Sequence, residues 1–312
     1  MTMKTADIAA LNDAQARHLA MLQVCDSVFP VGAFALSNGM ETFVQREFLR
    51  RGADFEQYVR DYLAVAPYKE IGQMTLAGRY GTDGRLSAAG LERKIVALDE
   101  LASALQSARE IREGSERMCT RLIKLVRQMD AAGANRSQAP HRTNAGSSAD
   151  TIAVTEERPQ AGRPAPADRS PDDEIVSVHE HRTERRRLEG ATDALYGSPK
   201  LDMYARLIDE GRCRGVHAIA MGLYAADHAT DVRSAAVTYG YSLLSALTMC
   251  AAKAIPLSQY VGQVALHDSF PRLVRAVDIA MTLHPDDLGI SGAYLDIAAM
   301  QHETLYSRLY MS

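Results

Sequence analysis

Nine histidines and four cysteines are the natural starting point for any chemistry in this 312-residue chain. His267-Asp268 and His302-Glu303 are adjacent pairs. Neighbouring residues on a helix face different ways, so neither pair is a ready acid–base dyad. His302-Glu303 also lacks a second histidine four residues after the first, so it does not match the helical zinc-protease motif. Cys213 and His217 stand four apart and offer two ligands to one metal. Two are too few for a closed site, and Gly215 between them weakens a helix, so packing is the competing reading. Cys25 has no histidine close in sequence to activate it and reads as a buried structural thiol. The four cysteines (Cys25, Cys119, Cys213, Cys250) form no CxxC pair and are expected to be reduced.

The elements that would position such residues are helical. The chain is 46% hydrophobic and 24% charged with a formal net charge of -4, enough apolar material for a sizeable core. That slight acidity argues against a nucleic-acid binder. Residues 1–20 contain no apolar signal region, so a cytoplasmic location is expected. No stretch alternates as a strand would, and the fold class is all-α: one bundle of about ten helices interrupted by an insertion. Residues 1–17 read as a frayed tail and 18–130 as the first half of the helical domain. Within that half, His18 to Val28 reads as a short helix. Asp54 caps a helix whose Phe55, Tyr58, Val59, Tyr62 and Leu63 fall on one face. From Leu101 through Leu105, Ala108, Ile111, Ser115, Met118 and Leu122 to Met129, steps of three and four predict a continuous packing seam.

Composition then changes. Ala131 to Leu195 has no aromatic residue, 5 of the 11 prolines, 9 Arg and 11 Asp or Glu. Such a segment buries too little to offset its ordering entropy and reads as a disordered insertion, either a solvated linker or a partner-binding tail. Residues 196–312 form the second half of the domain. There Thr230 or Asp231 caps a helix running to Ala254. Its uncharged run Ser234–Ala252 is near the minimum length for a membrane span, but its Ser, Thr, Gly and Tyr content favours a wholly buried central helix.

The most distinctive stretch is the corner Ser27-Val28-Phe29-Pro30-Val31-Gly32 followed by Ser37-Asn38-Gly39-Met40-Glu41-Thr42. Pro30 stops a helix, and Gly32 and Gly39 suit unusual backbone angles. Ser37 or Asn38 is placed to cap a new helix with Glu41 in its first turn. No Lys-Ser or Lys-Thr follows the glycines, so this is not a phosphate loop. A second distinctive stretch is the ending His302-Glu303-Thr304-Leu305-Tyr306-Ser307-Arg308-Leu309-Tyr310. With Gly215-Val216-His217 and Lys253-Ala254-Ile255-Pro256, these segments resemble the UreF family of urease accessory proteins, helical chaperones of nickel insertion. The resemblance spans about residues 19–130 and 199–312. Leu36 stands where many family members carry a histidine.

That resemblance implies a homodimer that pairs with the accessory protein UreD (UreH) and recruits the GTPase UreG to apo-urease. Nickel and GTP are then handled by the partners, with no cofactor of the chain's own and no catalytic residue. Modulation of the UreG GTPase is a further implication. Pro30, Gly32, Ser37, Gly39 and Glu41 are implied to be structural. Glu303, Tyr306, Arg308, Leu309 and Tyr310 are implied to meet UreD, where the competing reading is packing on the last helix. Lys253 is implied on the face meeting UreG, against a solvated helix-end lysine. Tyr241 is implied at the dimer interface, against core packing. Among nickel ligands proper, His179-Glu180-His181 in the insertion is the densest candidate, against a solvated polar run. Two other readings stand beside this one: a helical enzyme using Cys213 with His217, and a divergent scaffold without urease partners.

Overall fold

The computed structural model describes residues 5–33, 37–138, 197–289 and 292–310. Among them are twelve α-helices and no strand. In chain order these are α1 Thr5–Cys25, α2 Met40–Gln45, α3 Gly52–Val65, α4 Glu70–Thr82, α5 Ala88–Leu105 and α6 Arg109–Gln138. After the insertion come α7 Pro199–Asp209, α8 His217–His228, α9 Val232–Ala254, α10 Gln259–Asp268, α11 Phe270–Thr282 and α12 Ala293–Gln301.

Helices α4 and α8 cross at the centre. Nearly every residue of α8 is buried, as a helix apolar on all sides must be. The crossing is close because glycines meet there. A Cβ on Gly222 would lie 2.3 Å from the Met74 carbonyl oxygen and 2.9 Å from the Gly78 nitrogen. The other helices build outward from this pair. The apolar face expected for α3 is buried as a set: Phe55, Tyr58, Val59, Tyr62 and Leu63. Asp231 caps α9, its Oδ1 accepting from the Ser234 N–H at 2.7 Å.

Several elements differ from the sequence reading, each for a local reason. Helix α1 reaches back to Thr5, into the stretch read as a tail, and stops at Cys25 rather than Val28. Asp26 Oδ1 accepts from the Val28 N–H at 2.8 Å, a side-chain turn that ends the helix and leaves Val28 exposed. Asp54 is not the cap of α3 but its third residue, accepting from the Arg50 and Arg51 N–H groups at 3.1 and 2.9 Å. The seam expected to run unbroken from Leu101 to Met129 is two helices. The chain leaves helical geometry at Gln106, and Arg112 Nη1 donates to the Gln106 carbonyl at 2.6 Å across the break. Helix α9 is not wholly buried: half of its apolar stretch is covered. It is long and apolar enough to cross a bilayer by length and composition. Its uncovered side borders a cavity of about 390 Å³ and carries Tyr241 and Met249 to the surface.

At the start of the expected insertion, α6 continues to Gln138, and Ser198 Oγ donates to Asp130 Oδ2 at 2.8 Å where the chain resumes. The rest of the insertion, with His179 and His181, lies outside the described residues, as does Leu36.

Candidate partner-docking site

The two most distinctive segments of the sequence, 269 residues apart at their furthest shared hydrogen bond, fold onto one another. The corner is built as its glycines require. Asn38 and Gly39 both have positive φ, 50° and 81°, and Gly39 rather than Ser37 or Asn38 occupies the N-cap position of α2. Ser37 still serves the helix end, its Oγ accepting from the Glu41 N–H at 3.4 Å. Gly39 lies so close to α12 that a Cβ would meet the Ala299 nitrogen at 2.7 Å. Beside it Thr42 Oγ1 donates to the Ala298 carbonyl at 2.8 Å. Gly32, with φ 90°, faces the Arg121 guanidinium, which donates to the Val31 carbonyl at 3.2 Å.

This docking puts Glu41, 2% exposed, under the C-terminal segment. Its carboxylate accepts from the Leu309 N–H at 2.6 Å, the Tyr310 N–H at 3.1 Å and His302 Nε2 at 2.9 Å. His302 is fully buried, and its Nδ1 lies 2.6 Å from Glu110 Oε2 on α6. Arg308 Nη1 donates to the other oxygen of Glu110 at 2.6 Å, and Arg109 pairs with Glu303 at 3.1 Å. Tyr310 is buried, its hydroxyl donating to the Cys250 carbonyl on α9 at 3.1 Å. Gln45 Nε2 donates to the Ser307 carbonyl. Two carboxylates, one imidazole and one guanidinium thus form a near-balanced cluster with Glu41 and His302 buried and Arg308 at its exposed rim, and pairing of this kind is the condition under which buried charge is tolerated.

Two apolar side chains of the anchored segment point the other way. Tyr306 is fully exposed and Leu309 is 69% exposed. Tyr294, Ile297 and Met300 on α12 and Phe48 after α2 are exposed as well. Large aromatic and aliphatic groups held out by a rigid base are the residue types that anchor protein–protein contacts. The expected docking residues therefore divide: Tyr306 and Leu309 face solvent, whereas Glu303, Arg308 and Tyr310 hold the segment in place. Lys253 is exposed in the last turn of α9. Tyr241 is 43% exposed and packs edge-on against Phe270, ring centroids 6.1 Å apart. Glu110 and the Cys250 carbonyl are essential to the cluster and were not singled out from sequence as members of it.

The other candidates are not brought together for catalysis. Cys213 precedes α8, Gly215 has φ 97°, and His217 is the first residue of the helix, so the four-residue spacing is not a helical pair. No group of three or more His, Cys, Asp or Glu side chains is placed to hold a metal among the described residues. Burial pushes the Cys213 and Cys25 thiols up to about 12 and Cys250 to about 11, away from the reactive thiolate. His217 lines the 390 Å³ cavity, its Nε2 has no partner among the described residues, and burial pushes it down to about 4. It is a neutral ring at ordinary pH.

Comparison with known proteins points to the same family as the sequence resemblance. A UreF family profile matches residues 49–159 and 182–270. The urease accessory protein UreF of Actinobacillus pleuropneumoniae is 26% identical over 294 residues, covering 94% of this chain and 98% of that protein. That of Haemophilus influenzae (strain PittGG) is 29% identical over 294 residues, 94% of each. That of Streptococcus salivarius (strain 57.I) is 23% identical over 295 residues, 95% of this chain and 94% of that protein. With its all-helical fold and near full-length correspondence, this chain belongs to the UreF family of urease accessory proteins.

Proposed function

We propose that this chain is a non-catalytic assembly factor of urease maturation. It dimerises, binds UreD (UreH) and recruits the GTPase UreG to apo-urease in the cytoplasm, where nickel is inserted in a GTP-dependent step. Nickel and nucleotide are carried by the partners. The observation that carries this reading is the C-terminal segment, anchored from beneath by Glu41, Glu110 and Cys250 while Tyr306 and Leu309 face outward. Tying the segment down while leaving its largest apolar groups in water suits a surface awaiting a partner. The half-covered α9, uncharged from Ser234 to Ala252 and with Tyr241 on its open side, supports self-association, and exposed Lys253 at its end supports a second contact face.

Size-exclusion chromatography with light scattering, on the protein alone and mixed with its cognate UreD and UreG, tests the proposal. A dimer that captures UreD, and then UreG with nucleotide, is the expected result. A chain that remains a monomer and elutes apart from both partners would overturn it.

A further inference from the structure

The ring of His302 lies between two carboxylates, Glu41 Oε2 at 2.9 Å from Nε2 and Glu110 Oε2 at 2.6 Å from Nδ1. An ionised carboxylate only accepts hydrogen bonds, so both ring nitrogens must donate, and only the doubly protonated imidazolium does that. The same Glu41 carboxylate holds the Leu309 and Tyr310 N–H groups, and the same Glu110 holds Arg308. The ring therefore sits at the junction of the two acceptors that set the path of residues 305–310.

We propose that His302 is the positioning residue of the docking segment: its ring bridges Glu41 and Glu110 and locks both under the chain, and presentation of Tyr306 and Leu309 depends on that bridge. This rests on the docking reading above for its biological meaning, though not for its chemistry. Charged and titratable groups reach the ring and its partners from several elements. Glu41 faces it from α2, and Glu110 with neighbouring Arg109 from α6. Glu303, Arg308 and Tyr310 come from the segment itself, and Cys250 and Lys253 lie on α9 behind Tyr310. Removing the ring leaves the buried Glu41 carboxylate without its imidazole partner and unlinks it from Glu110, and the segment opens.

Amide hydrogen exchange at Leu309 and Tyr310, expressed as protection factors to remove the intrinsic base catalysis, reads the lock directly on the full-length protein. His302→Gln, whose single amide is unable to reach both carboxylates, should lower protection at these two amides by about tenfold or more, the scale of one charge-assisted hydrogen bond. Protection in the α4–α8 core should stay level. Glu110→Gln should lower it less, because its amide still accepts from the ring. In the double variant the losses should be shared rather than added, since both changes break the same link. If His302→Gln does not fold, Glu110→Gln decides by whether exchange rises at Leu309 and Tyr310 while the core stays level. Wild-type protection in these variants, or strictly additive losses in the double variant, overturns the proposal. UreD capture by the same variants separates the two readings. A segment that opens while capture is unchanged supports the lock and sinks the docking role.

Discussion

Replacing Gly39 by alanine tests whether the corner and the C-terminal helix are one unit. Two costs follow from the structure. The residue sits at φ 81°, where an L side chain costs about 1–2 kcal/mol. Its new Cβ would also lie 2.7 Å from the Ala299 nitrogen and 2.9 Å from the Ala299 Cα, backbone atoms unable to step aside as a flexible side chain would. Overpacking of this kind costs about 1–3 kcal/mol. The sum is about 2–5 kcal/mol. At about 2–4 °C per kcal/mol for a domain of this size, the melting temperature should fall by about 10 °C. Gly211 supplies the control, having φ 71° and nothing within 4 Å of the place a Cβ would occupy. Gly211→Ala should therefore cost only the conformational part, about 1–2 kcal/mol. Thermal and urea unfolding of both variants give the comparison, and amide exchange at Leu309 and Tyr310 shows whether α12 has shifted. Equal losses for the two substitutions would refute the claim that Gly39 is required by close packing on α12.

Three further outcomes are expected. Tyr306→Ala and Lys253→Ala, at exposed positions, should leave stability within the small range typical of surface changes, about 0.5 kcal/mol, while weakening capture of UreD and UreG respectively. Unchanged capture by light scattering would remove these residues from the interface. His217, pushed down to about 4 against an ordinary value of about 6.5, is neutral when folded and binds a proton more readily when unfolded. Its contribution is thus intact above about pH 6.5 and is lost as pH falls towards 4, by up to about 3 kcal/mol. His217→Leu should flatten urea-unfolding stability over that window, and an unaltered slope counts against a buried neutral ring. Replacing residues 139–196 with a short Gly/Ser linker should preserve a single cooperative thermal transition, since Asp130 and Ser198 already join the chain on either side. A broad, non-cooperative melt would show that the insertion belongs to the core.

The sequence by itself determined the helical class, the capped start of α9, the buried face of α3 and the two segments that carry the family resemblance. Each is a local matter: periodicity places a helix face, a carboxylate caps the next turn, and a glycine permits positive φ. It also marked Glu41 and the 302–310 ending as distinctive. What it left open was their relation, because hydrogen bonds such as that from Leu309 to Glu41 span most of the chain and no local pattern encodes them. His302 illustrates the gap. Beside Glu303 in sequence it reads as a failed acid–base pair, yet its real partners are Glu41 and Glu110, brought to it by α2 and α6. The same reason explains why α9, with its uncharged run Ser234–Ala252, reads as fully buried. Hydropathy reports what a helix is able to bury, and only the arrangement of its neighbours decides which side is covered. Tertiary packing likewise split the C-terminal residues, turning Tyr310 inward to Cys250 and Tyr306 outward to solvent, a choice that composition and spacing leave equal.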